Sequence, residues 1–594
     1  MKVTIKERDG HWYNHYRLCE SYRDGQHIRN RTLLSLGDLE QELNSQQIHI
    51  FVRRLNELYR GEKTRILSAF RDEKTENLAL YYCKALKEAE AALKSERKAR
   101  GIETVDLNSF HNKDIREMGA EWLCLQACEQ LQLSACFSSR GWNQDDIRIA
   151  LTHIVSRAVY PVSELKTVSW IKENSSLSEL TGMDAGQLTK DRLYQISHRL
   201  YKEKQGLESY LSRRTNELFE LEDKIILYDL TNTYFEGRMK DSKLCRFGRS
   251  KEKRSDARIV VLAAVVNPEG FLKETEIFEG NLSDPSSLKP VLDKLKAYRD
   301  KTSKTKQVVV MDAGIATEAN LRMLREESFD YLCVSRKKLK EYQVVREYPV
   351  LMEDKRHQPI EIREIEVEGE TDCFFRVKSQ AKQAKELSME TRFTEAFEKS
   401  MEQIRLSLNK KGGVKKAEKV WERIGRLKQK YPSVNRLYEM EVKSDKKGIA
   451  TEVLYARKPV IKPESQGIYF LRTSLSASDE KTIWQIYNTI REIESTYRCL
   501  KTDLNLRPVF HKTDDATMAH LHLGLLAYWV VDTIRYQLKE KGFRSHWREI
   551  VRIMNTQKIV TTSMRNTDDE HISIRQCSEP NDKVKLLYDL IGYR

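Results

Sequence analysis

Residues 224–235 read KIILYDLTNTYF. Ile225, Ile226 and Leu227 run straight into Tyr228, Asp229 and Leu230. A short apolar run of this kind, rich in β-branched and aromatic residues, predicts a strand buried on both faces. An ionised carboxylate inside such a strand is costly unless it is paired or binds a metal. Strand patterns continue downstream. RIVVLAAVV (258–266) and GFLKETEIF (270–278) predict a hairpin around Asn267-Pro268-Glu269-Gly270. A helix follows over 288–298. QVVVMDAG (307–314) is then a strand that runs out onto Asp312, before a helix at 318–326 and a strand at 330–335, DYLCVS.

Three strands, helix, strand, helix, strand is the order of an RNase H-like α/β core. In that core the strands carrying Asp229 and Asp312 are neighbours, and strand ends of α/β sheets are where sites are built. Residues 340–380 alternate like strands, 381–431 read as two charged helices around Lys410-Lys411-Gly412-Gly413, and 433–472 return to strand patterns, so about 340–475 reads as an insertion in the core. Lys410, Lys411, Lys415 and Lys416 there serve equally as DNA contacts or as a solvated hairpin. A helix is predicted over 479–500, with Ser478 or Asp479 as its N-cap. At about 100° per residue, Tyr487, Arg491, Arg498 and Lys501 share a face with Glu494, beside an apolar stripe of Ile486, Ile490, Ile493, Tyr497 and Leu500. Three clustered carboxylates repel one another, and a divalent cation removes the conflict. Mg²⁺ suits an all-oxygen set, two ions are expected at Asp229, Asp312 and Glu494, and Mn²⁺ can substitute.

The 594 residues carry 104 Lys+Arg against 89 Asp+Glu, a net charge of +15, which suits a polyanionic partner. Ten cysteines form no Cys-x-x-Cys pair; Cys124 and Cys128 read as buried thiols. No apolar signal segment opens the chain and no run is long enough to span a bilayer, so a cytoplasmic, nucleoid-associated protein without membrane contact is expected. The predicted class is α/β, an RNase H-like core interrupted by a mixed α+β insertion, with helical N- and C-terminal regions and a small N-terminal β-meander. The expected domains are the β-meander (1–37, with a hairpin signal at Asp24-Gly25), a charged helical segment (38–109), a helical domain for DNA-end binding or dimerisation (110–222), the core's first part (223–339), the insertion (340–475), the core's second part with the Glu494 helix (476–540) and a helical C-terminal tail (541–594). His511, His520 and His522 form no persuasive metal set; His520 and His522 are expected to pack or hydrogen-bond.

At these residues the sequence resembles the insertion-sequence transposases of the DDE superfamily, in the branch whose last Glu lies in a Tyr–x2–Arg–x3–Glu–x6–Lys signature. Tyr487, Glu494 and Lys501 match in register; the Arg position holds Ile490, with Arg491 one residue later. YDLTNTYFEG (228–237), GRSKEKRSDARIVVLAAVV (248–266), FEGNLSD (278–284), VVVMDAGIATEANL (308–321) and YRCLKTDLNLRPVFH (497–511) resemble one subgroup of that branch, in the expected order.

The resemblance implies cut-and-paste transposition at terminal inverted repeats of double-stranded DNA. It implies strand cleavage, closure of a DNA hairpin, and joining to target DNA by a homodimer. The hairpin step needs a distorted strand, commonly with a flipped base held by an aromatic. Trp484 could stack such a base or simply rim the core, and Tyr487 is placed to contact a nearby phosphate. Arg246, Arg249, Lys251, Lys253 and Arg254 crowd the loop after Asp229 and are further DNA contacts, or a solvated loop. Two other readings remain at this level: a nuclease of the same fold that does not join strands, and an inactive transposase-derived DNA-binding protein.

Overall fold

The computed structural model describes residues 1–24, 27–61, 72–99, 103–237, 239–251, 254–298, 306–337, 339–354, 357–459, 466–476 and 479–593. They fall into two units, Met1–Lys113 with Thr561–Arg575 and Asp114–Val560 with Gln576–Arg594. The first opens with an antiparallel sheet of β1 (Lys2–Arg8), β2 (His11–Asp24) and β3 (His27–Gly37). Gly25 of the expected hairpin turn lies outside the described residues. One face of this sheet, through Tyr16 and Leu36, shares a core with Phe51 and Leu55 of the helix Ser45–Arg60 and with Ala79 and Cys83 of the helix Glu73–Ala99. Asn44 caps the first of these helices in a reciprocal capping box with Gln47.

The sequence reading expects helix from residue 110 onward, but β4 spans Val105–Glu117. Its residues are mostly exposed, so no apolar periodicity announces it. Helices then run from Gly119–Gln130 to Lys204–Phe219. Within the expected helical domain, residues 190–219 form two consecutive helices, Lys190–Lys202 and Lys204–Phe219.

The second unit is built on a large mixed sheet. One half of it holds β5 (Ile225–Tyr234), β6 (Ile259–Val266), β7 (Leu272–Glu279), β8 (Val308–Met311) and β9 (Asp330–Val334), in the spatial order β7-β6-β5-β8-β9, with β7 at the edge. β5 pairs antiparallel with β6 and parallel with β8, and β8 pairs parallel with β9. The two faces separate by residue parity, as a pleated strand requires. Ile226, Tyr228, Val309 and Met311 pack with Leu288, Leu292, Leu321 and Leu324 of the helices Leu288–Tyr298 and Glu318–Glu326. Leu227, Val308 and Val310 pack on the other face with Ile493, Tyr497 and the buried helix Asp514–Glu540.

Beyond β9 come β10 (Gln343–Val344), β11 (Val350–Glu353), β12 (Pro359–Glu366), β13 (Cys373–Ser379), the hairpin β14 (Tyr438–Ser444) and β15 (Ala450–Arg457), and β16 (Ile468–Thr473). β16 pairs with both β9 and β13, so residues 343–379 and 468–473 extend the main sheet instead of folding apart. The helices Gln380–Ser407 and Ala417–Lys430 and the β14–β15 hairpin keep a small core of their own around Phe397, Val420 and Val453. The C-terminal tail, expected to be helical, contains β17 (Lys558–Asn566) and β18 (His571–Cys577), which form a sheet in the order β18-β17-β4. Among the described residues, no helix is long and apolar enough to cross a membrane.

Candidate active site

Asp229 is one residue beyond Tyr228 and Asp312 one beyond Met311, and Tyr228 and Met311 are partners in the parallel β5–β8 register. The two carboxyl groups therefore leave adjacent strands at the same level. By parity Asp229 points to the face of Leu227, where the Glu494 helix packs, and Asp312, just past the end of β8, acts electrostatically on Asp229 and Tyr487 there. The helix expected over 479–500 is divided at Thr489 into Glu480–Asn488 and Ile490–Arg498, followed by a π-helical turn, Cys499–Asp503. Asp479 caps the first helix by accepting from the Thr482 N–H; Ser478 lies outside the described residues. The Tyr497 hydroxyl donates to the main-chain oxygen of Asp229 at 2.5 Å. Thr496 is 2.9 Å from the Tyr528 hydroxyl, which donates to Gly270 O at 3.0 Å. The helix bearing Glu494 is thus bolted both to Asp229's strand and to the β6–β7 turn.

Burial pushes the Asp229 carboxyl up to about 6; Lys251 and the Leu230 N–H oppose the rise, and Asp312 and Glu494 add to it. Lys251 Nζ stands 3.8 Å from Asp229 Oδ1 and donates to Leu230 O. Tyr487 is half-buried, and burial first, then Asp312 and Glu494, push its phenol up to about 12. The three carboxylates are therefore mutually repelling and share one electrostatic neighbourhood with Tyr487, a donor set of the kind that takes a hard divalent cation.

The other sequence candidates divide. Arg491 and Arg498 line a cleft of about 630 Å³ beside the Glu494 helix, with Arg535, Lys539, Arg544 and His546. Arg498 Nη2 is 2.8 Å from His546 Nδ1. Lys501 lies in the π-turn. Arg249 is exposed, and its carbonyl accepts from Asn232 at 3.1 Å, which folds the basic loop back onto β5. Arg254 is engaged by Asp256 (2.6 Å) and Glu236 (3.2 Å). Lys253 lies outside the described residues. Trp484 is 7% exposed and belongs to the buried core, with its ring centroid 5.9 Å from that of Tyr487. Arg336, which the sequence reading did not single out, donates to the carbonyls of Ala313 and Gly314 and so pins the turn after Asp312. Only the fold brings it there.

Among the described residues, the group of three whose donor atoms lie within 4.8 Å of one another is Glu164, His511 and His520. Asp229, Asp312 and Glu494 do not meet that spacing; a site sharing two ions does not require it, since ligands on different ions are also separated by the ion pair's own ~3.5–4 Å. Of the three histidines read from sequence, His511 and His520 converge on Glu164, while His522 lies against Glu208, at 3.7 Å. Buried Arg157 supplies the countercharge: its Nη2 is 3.3 Å from His520 Nε2 and donates to Asn505 O at 3.1 Å. Burial works to raise the Glu164 carboxyl and is overcome by His520, His153 and His511, which hold it well below the usual range. Glu164→Gln should leave Arg157 buried without its anion and cost about 3 kcal/mol of stability, read as a lowered denaturation midpoint. A midpoint shift equivalent to less than 1 kcal/mol would show that the cluster's charges do not depend on one another.

With this geometry in place, the comparisons define a class. The sequence model of the transposase DDE domain matches residues 222–530, and the chain belongs to that family. Residues 1–66 match the N-terminal domain of IS1634 family transposases, which places the chain among insertion-sequence transposases. No curated protein matches the sequence. Among solved structures, a chain of the piggyBac transposase synaptic complex with hairpin DNA, determined by cryo-EM, is similar over 75% of this chain and 81% of its own, at 10% identity and a TM-score of 0.32. A likeness that distant carries no argument about the site.

Proposed function

We propose that this transposase cuts and joins DNA at a site formed by Asp229, Asp312 and Glu494 on an RNase H-like core, β5–β9 with the two helices between them, and that it belongs to the Tyr–Arg–Glu–Lys branch. The observation that carries this reading is the convergence of two aspartates from adjacent parallel strands with a helix tied to Asp229 by Tyr497. The three carboxylates would hold two Mg²⁺ ions, with Mn²⁺ as a substitute, and the ions would supply activation of the attacking oxygen and stabilisation of the leaving one. The protein's own groups handle the substrate. Lys251, Arg491, Arg498 and Lys501 offset phosphate charge around the scissile bond, and Arg249 extends the contact along the loop. Tyr487 donates to a phosphate, since its raised phenol pKa keeps the proton in place. Arg491, which shares the cleft with Arg498, takes the role that Ile490 cannot.

The reaction in this reading begins with water attacking the phosphodiester at a terminal inverted repeat and releasing a 3′-OH. That hydroxyl attacks the opposite strand, displacing the flanking 3′-oxygen and closing a hairpin. Water reopens it, and the 3′-OH then attacks target DNA. Two ends must be held together, so a homodimer acts on the DNA. The test is a strand-transfer assay with labelled inverted-repeat ends and a supercoiled plasmid. Mg²⁺-dependent joined product is expected. Hydrolysis with no joined product would replace this reading by a nuclease of the same fold; end binding with neither reaction would replace it by a DNA-binding role.

A further inference from the structure

We infer that the open face of the N-terminal sheet docks on duplex DNA, gripping phosphates through Lys2, Lys6, Arg8 and Arg17. The choice of DNA as partner rests on the transposase reading; the existence of the surface does not.

The strand register sorts the residues. Lys2 faces Arg17, Thr4 faces His15, Lys6 faces Tyr13 and Arg8 faces His11. These pairs lie on the side away from Tyr16 and Leu18, which pack toward the two helices. Contacts across that side agree. Arg17 donates to Thr4 Oγ1, Ser35 Oγ is 3.0 Å from His15 Nε2, Tyr13 packs edge-on against His15, and Ser21 donates to Asn30 at 2.7 Å. Among the described side chains of this face there is no Asp or Glu. The acidic groups of the sheet lie elsewhere: Glu7 and Glu20 project to the helix side, opposite Trp12 and Arg31, and Asp9 sits in the turn, paired with Arg8 at 3.7 Å. In a chain with 89 Asp+Glu, a whole sheet face of cations, hydroxyls, amides and imidazoles is a selected distribution and not an average surface. Burial lowers the His15 imidazole pKa, and the neighbouring cations Lys6 and Arg17 lower it further.

The shape also fits. Two strands about 4.8 Å apart, with long side chains, fill a major groove about 12 Å wide, and sheets are an established means of entering it. Hydroxyl, amide and imidazole groups between the cations offer donors and acceptors to base edges. The sequence reading assigns end binding to 110–222; this surface lies in the N-terminal unit instead.

The test measures binding of the full chain to a 30-base-pair random-sequence DNA duplex across a salt series. The combined variant Lys2→Gln, Lys6→Gln, Arg8→Gln, Arg17→Gln should lose roughly 30-fold in affinity near physiological salt and flatten the log K against log salt slope by about 2–4. The pair Glu20→Gln, Arg31→Gln, on the sheet's other side, should leave both unchanged. As a check that needs no variant, acetylation of Lys2 and Lys6 in the unaltered protein should be suppressed by the duplex. A loss under threefold with an unchanged slope, or unprotected lysines, would overturn the inference, as would preference for an RNA duplex of the same sequence. If Asp229→Asn still cleaves, the catalytic reading falls while this result stands; if Asp229→Asn is inert but the four-cation variant binds like wild type, only the inference falls.

Discussion

Asp229→Asn should abolish Mg²⁺-dependent cleavage, by at least 10³-fold, and at the same time make the metal-free protein more heat-resistant. The first half follows from chemistry: the amide is a weaker ligand for a hard cation and carries no charge to balance it. The second follows from electrostatics. Burial and the neighbouring Asp312 and Glu494 raise the Asp229 carboxyl from 3.8 to about 6. A carboxyl raised on folding binds more protons in the native state than in the unfolded one between those values, so native stability falls as pH rises through that window and stays lowered above it. At pH 7.5 the ionised Asp229 is a strain that Asn removes, and a rise of a few degrees in melting temperature is expected without metal. The same shift predicts that cleavage by the wild-type protein weakens as pH falls through about 6, because protons then compete with the cation for Asp229. Glu494→Gln should match the loss of cleavage. DNA binding at high pH should persist in both variants. Undiminished cleavage by Asp229→Asn would remove Asp229 from the mechanism; a lowered melting temperature would mean that its salt bridge to Lys251 outweighs its burial.

The central sheet was readable because its local signals are strong. VVLAAVV leaves little doubt about β6, every residue of which is buried. The aspartates stood out because each ends or interrupts such a run. The Glu494 helix was legible by its two stripes, yet its division at Thr489 was not, since Thr489 keeps helical backbone angles and only the hydrogen-bond pattern changes. What escaped was non-local. β4 is polar along most of its length and is satisfied by β17, more than four hundred residues away, through contacts such as Thr562 to Asn112. Trp484 lies beside the Glu494 stripe on a helical projection, but the packing of β12 and β9 against its helix leaves it buried. Glu164 opens the helix Glu164–Glu173, more than three hundred residues before His511 and His520, and could not be joined to them by spacing alone. The basic face of the N-terminal sheet was present as alternation in residues 1–37, but its significance required knowing which parity the helices cover.

Arg472→Met should destabilise the second unit by about 3–5 kcal/mol. Arg472 lies on β16 between Phe374 of β13 and Cys333 of β9. Its side chain is 7% exposed and reaches Asp372 at 2.5 Å, Glu318 at 2.6 Å and Glu370 at 3.4 Å. Asp372 is itself buried and also accepts from the Tyr331 hydroxyl at 2.6 Å and from Arg325. Removing the guanidinium leaves the buried carboxylate under-compensated, which is dearer than the net worth of the pair. Removing both partners, as Arg472→Met with Asp372→Leu, should recover most of the loss, since an apolar pair of similar volume needs no compensation. The consequence reaches the site, because β16 joins the extended half of the sheet to β9 and leads into the helices that carry Glu494. Loosening it should raise the Mg²⁺ concentration needed for half-maximal cleavage before the chain unfolds. Hydrogen exchange on β13 and β16 would locate the effect, and denaturation of the two variants would size it. If Arg472→Met lies within 1 kcal/mol of wild type, Arg325 alone compensates Asp372, and the tie between the two halves of the sheet resides in their backbone hydrogen bonds.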